Sequence, residues 1–101
     1  MPAVITLPKE QIDEFCRRNH VRRLALFGSV LRSDFGPASD IDLLVEFEPG
    51  ERVGFLRLAA MERELTRLLG GRRVDLRTPN ELSSHFRQQV LQSALSVYVR
   101  S

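Results

Sequence analysis

LALFGSVLRSDFGPASDIDLLVEF, Leu24 through Phe47, decides how this chain folds. An apolar run, Leu24 to Phe27, stops at Gly28-Ser29; after ten intervening residues comes Asp40-Ile41-Asp42, and a second run, Ile41 to Phe47, starts inside that carboxylate pair. Runs of four to seven mostly apolar residues bounded by a glycine or a turn read as buried strands. Side chains two apart on a strand point the same way, about 7 Å apart. Asp40 and Asp42 are therefore expected to aim together at whatever lies beside Gly28. A glycine admits close backbone approach to a ligand, and free N–H groups at a helix start favour phosphate. Two coaligned acids facing an anion-binding turn call for cations between them, which is the requirement of magnesium-dependent phosphoryl or nucleotidyl transfer.

Working outward, Pro8 opens a helical pattern with Ile12, Phe15 and Cys16 on one face, closing near Asn19-His20. Ser29 is placed to cap a short helix through Val30, Leu31 and Arg32, ended by Gly36-Pro37. Beyond the turn Glu48-Pro49-Gly50-Glu51, residues Val53 to Leu69 carry apolar side chains at Phe55, Leu56, Ala59, Ala60, Leu65, Leu68 and Leu69, an amphipathic helix closed by Gly70-Gly71. Val74 to Leu76 is a third short strand, Thr78-Pro79 is expected to cap a helix bearing Leu82, Phe86, Val90 and Leu91, and Val97 to Val99 is read as a last strand. This order predicts an α/β (α+β) fold, a small mixed β-sheet with helices packed on it, over residues 1–101 as a single domain.

The third acid is Asp75, in Arg73-Val74-Asp75-Leu76. If its strand pairs beside Ile41 to Phe47, Asp75 joins Asp40 and Asp42, and three clustered carboxylates are relieved by protonation or by a bound cation. Two magnesium ions roughly 3.5–4 Å apart would neutralise them and hold a triphosphate. The alternative for each acid is a solvated strand end. Ser29 could bind phosphate while also capping its helix. Arg32, one turn on, could reach nucleotide phosphates or pair with Asp34, and Ser39 could touch the triphosphate or simply shape a turn. His20 and His85 have no partner spacing suited to catalysis, and Cys16 reads as core.

Composition narrows the class further. A net charge of +2 does not imply direct nucleic-acid binding, which is not expected. One cysteine permits no internal disulfide and fits a reducing cytoplasm. No secretion signal and no apolar run of membrane-spanning length is visible, so no membrane partner is expected.

Gly28-Ser29, the Asp40-Ile41-Asp42 segment and the later strand aspartate Asp75 together resemble the nucleotidyltransferase superfamily related to DNA polymerase beta. Length and the segments LALFGS, SDIDLLVEF and VDLRTPNEL look like its minimal members, the MNT antitoxins paired with HEPN ribonuclease toxins. The resemblance runs from about Val21 to Tyr98, with one departure, Leu31 and Ser33 around Arg32 where many relatives have alanine and glycine. It implies that Gly28 and Ser29 bind the triphosphate of ATP. Asp40, Asp42 and Asp75 would hold two Mg2+ ions, and Asp75 would accept the proton of the attacking hydroxyl. The implied activity is that of a protein adenylyltransferase, moving AMP onto a tyrosine of a cognate HEPN toxin and silencing it. Two other roles stay open: a non-catalytic antitoxin that masks the toxin, and one subunit of an antibiotic nucleotidyltransferase. Larger relatives add domains around base and acceptor, so a minimal chain should present an open face that a partner completes, with exposed apolar positions on the Val53 to Leu69 helix or the C-terminal segment as docking points.

Overall fold

The computed structural model describes residues 7–28 and 40–100. Helix α1 (Lys9–Arg18) begins after Pro8, whose fixed φ suits a helix entry, and buries Ile12, Phe15 and Cys16. His20 then adopts φ 56°, a left-handed conformation that histidine tolerates better than most side chains, and turns the chain into β1 (Val21–Phe27). That strand starts three residues before the apolar run. Its extension is held by Arg23, whose guanidinium donates to Ser96 Oγ at 2.7 Å and Glu46 Oε2 at 3.2 Å. Strand β2 (Ile41–Phe47) runs antiparallel to β1, and helix α2 (Phe55–Leu68) follows with Gly54 as its N-cap.

Gly70 and Gly71, both at positive φ, return the chain to β3 (Val74–Arg77), which lies parallel to β2. The segment after β3 departs from the expected helix start. Thr78 caps a single 3-10 turn, Pro79–Glu81, through a reciprocal box in which Glu81 Oε1 accepts from the Thr78 N–H at 3.0 Å. Leu82 and Ser83 are extended, and Ser83 caps helix α3 (Ser84–Ser93) by accepting from the Phe86 N–H. Strand β4 (Leu95–Val99) closes the sheet in the order β3-β2-β1-β4.

Strand alternation divides the core. Leu24 and Leu26 of β1, Ile41, Leu43 and Val45 of β2, and Val74 and Leu76 of β3 pack with Ile12, Phe15, Met61 and Leu65 of helices α1 and α2. Phe27 and Leu44 pack with Val90 of α3 in a smaller second cluster. At roughly 1.5–3 kcal/mol for each fully buried aliphatic or aromatic side chain, the first cluster carries most of the stability. Phe55 and Leu56, expected on the apolar helix face, are instead both 83% exposed.

Candidate nucleotide-transfer site

Register places the acids. In the parallel β2–β3 pair Asp42 and Asp75 are direct Cα partners, so both side chains leave the same face of the sheet from adjacent strands. In the antiparallel β1–β2 pair Asp42 is opposite Phe27, the residue before Gly28. Gly28 has φ +71°, and a Cβ added there would lie 2.4 Å from Asp42 Oδ2. The carboxylate thus rests against bare glycine backbone that no side chain could share. Asp40 lies exposed just before β2, and the Ile41 N–H donates to Arg73 O at 2.8 Å, locking the start of β2 to the start of β3.

Helix α2 fixes the other side of β3. This strand is an edge, and its outward N–H groups need acceptors. Thr66 Oγ1 accepts from the Val74 N–H at 3.2 Å, and Glu62 Oε2 accepts from the Leu76 N–H at 2.8 Å. One helical turn between acceptors matches two strand residues between donors. Asp75 sits between the two anchored positions.

Its carboxylate is engaged. Arg77 Nε donates to Asp75 Oδ1 at 3.0 Å and Nη2 to Oδ2 at 3.4 Å, and the same guanidinium lies 3.8 Å from Glu81 Oε2. The hydrogen bond to Asp75, followed by its charge, raises the Arg77 pKa above its ordinary value. Asp75 and Arg77 line a cavity of about 550 Å³ with Val53, Phe55, Leu58 and Glu62. A larger groove between α1 and β4 contains none of the candidate residues.

The structure therefore brings Gly28, Asp42 and Asp75 together and puts Asp40 two residues upstream of Asp42. Ser29, Arg32 and Ser39 lie outside the described residues, as does the short helix expected after Gly28. Among the described residues, no three histidine, cysteine or acidic side chains gather around one point. The donor chemistry nevertheless suits a hard dication: carboxylate oxygens on neighbouring strands, one of them packed on exposed backbone. Sequence reasoning missed Glu62, Thr66 and Arg77. A polar pair four apart on α2 beside an apolar stripe was the available signal for the first two.

The family profile for the nucleotidyltransferase domain matches residues 8–97. This chain belongs to that family. It is 35% identical over 95 residues, 94% of this chain and 90% of the relative, to the protein adenylyltransferase MntA of Thermococcus cleftensis. Among solved structures, it superposes with a TM-score of 0.73 on a chain of a toxin–antitoxin crystal structure with AMP-PNP, at 23% identity, covering 94% of this chain and 76% of that one. It also superposes, with a TM-score of 0.65, on a chain of a tri-AMPylated Shewanella oneidensis HEPN toxin in complex with MNT antitoxin, at 21% identity, covering 91% and 70%. These last two similarities establish the shared mixed-sheet fold.

Proposed function

We propose that this domain is a cytoplasmic, magnesium-dependent protein adenylyltransferase that acts as an antitoxin, transferring AMP from ATP to a tyrosine of a partner HEPN toxin. The observation that carries the reading is the register pairing of Asp42 with Asp75, with Asp42 seated against Gly28. The 35% identity to an enzyme named for this transfer supports the reaction class, and the toxin–antitoxin structures sharing the fold support the partner class. No helix among the described residues is long and apolar enough to cross a membrane, which accords with the proposed location.

In this reading Asp40, Asp42 and Asp75 would hold two Mg2+ ions, which would supply the positive charge that a triphosphate needs there. Gly28 and Ser29 bind the triphosphate, and Arg32 and Ser39 are further nucleotide contacts. The tyrosine oxygen forms a bond to the α-phosphorus, the bond to the bridging oxygen breaks, and pyrophosphate leaves. Asp75 takes the phenolic proton, for which it must first part from Arg77. Phe55 lines the same cavity as Asp75 and, like its neighbour Leu56, is exposed, and these two side chains seat the acceptor protein.

The test is co-expression with the HEPN partner followed by intact-mass measurement. AMP-sized increments on the partner that require ATP and magnesium, and that vanish with Asp40→Asn/Asp42→Asn while the complex persists, support the enzyme. Undiminished protection by that variant, with no added mass, overturns it in favour of masking.

A further inference from the structure

We infer that Arg77 is the resident counter-ion of Asp75, occupying its carboxylate until a divalent cation takes over and so setting the cation affinity of the site. The inference rests on the reading of Asp75 as a metal ligand. Both oxygens of Asp75 accept from Arg77, through Nε and Nη2, so the guanidinium fork already fills two of the lone-pair positions an ion would use. The pair is formed by neighbours on one face of β3, with Arg77 in register with Leu44 and Asp75 with Asp42. Side-chain exposure of 47% and 36% makes it a pair that a dication can displace, at a measurable cost in affinity.

Arg77 also has somewhere to go. Glu81 stands 3.8 Å from Nη1 and is itself pinned, because its Oε1 accepts from both the N–H and the hydroxyl of Thr78. The guanidinium is thus an arm between two carboxylates, one movable between ligand and ion-pair roles and one fixed by the 3-10 turn. On release it stays paired with Glu81 rather than facing the incoming cation. Arg77 is a positioning residue here, acting on the site through the Asp75 carboxylate.

The experiment is Mn2+ titration of the full chain, without nucleotide, at low salt, read by electron paramagnetic resonance of free Mn2+. Removing the competitor in Arg77→Met should tighten binding roughly three- to ten-fold, with Arg77→Lys in between. Glu81→Gln should act oppositely, weakening Mn2+ binding by leaving Arg77 wholly to Asp75; it gives a second arm should Arg77→Met fold poorly. Unchanged or weaker binding in Arg77→Met, or tighter binding in Glu81→Gln, overturns the inference. Asp75→Asn separates the two layers. If it leaves wild-type Mn2+ binding intact, the metal-site reading itself falls. If it abolishes binding while Arg77→Met changes nothing, only the role of Arg77 falls.

Discussion

The Glu62 carboxylate accepts the Leu76 backbone N–H at 2.8 Å, so a helix side chain completes the outer edge of the strand that carries Asp75. An edge N–H left without an acceptor costs about 1–3 kcal/mol. Glu62→Gln keeps an acceptor oxygen and should leave stability within about 0.5 kcal/mol, whereas Glu62→Leu should lose about 1–3 kcal/mol in urea unfolding. Hydrogen exchange at Leu76 should accelerate in the leucine variant and stay slow in the glutamine one.

Gly28 answers to two constraints together, φ +71° and a carboxylate oxygen 2.4 Å from where a Cβ would go. Gly28→Ala should cost about 1–3 kcal/mol from backbone strain. Because the clash falls on Asp42, nucleotide transfer should drop further than the stability change accounts for, measured as transfer rate at a temperature where the variant remains fully folded.

Phe55 and Leu56 contribute little to the core and much to the surface. Replacing both with serine should change the unfolding midpoint by less than about 0.5 kcal/mol. The same change should weaken association with the proposed HEPN partner at least roughly ten-fold, seen by calorimetry, as expected for exposed apolar anchors.

Cys16 is fully buried, and burial, followed by the nearby Asp13 charge, pushes its thiol up from 9.0 to about 12. Native protein should resist thiol-modifying reagents at pH 8, and unfolded protein should react. Above pH 9 the unfolded chain sheds the thiol proton while the native chain keeps it. Stability attributable to this group should then fall by about 1.4 kcal/mol per pH unit up to about 12. The difference in urea midpoint between wild type and Cys16→Ala, followed from pH 8 to 10.5, isolates that slope from other titrating groups.

Much of the site frame was legible because it is written in strand periodicity. The Leu24–Phe27 and Ile41–Phe47 runs and the short Val74–Leu76 segment became β1, β2 and β3, and the parity of their apolar residues placed the intervening acids on one face. Val97–Val99 also proved to be strand, within β4. What escaped was long-range polar pairing. Arg23 ties β1 to β2 and β4, and Glu62 and Thr66 anchor the edge of β3 to α2. Their roles depend on which strand edge the helix covers, and local spacing carries no record of that. The capping signal at Thr78 was real but ended after one turn, since Ser83 offers a better start for the following helix.

The connection from Leu69 to Arg73 has a consequence for how such chains can vary. Side-chain direction reverses with each strand residue, so adding or deleting one residue in Gly70-Gly71-Arg72-Arg73 would offer Val74 and Leu76 to the Asp42 side and turn Asp75 into the hydrocarbon interior. The loop at 49–54 bears no such parity and can lengthen freely. Across descendants of this chain, insertions should accumulate before α2, and those after it should arrive in even numbers.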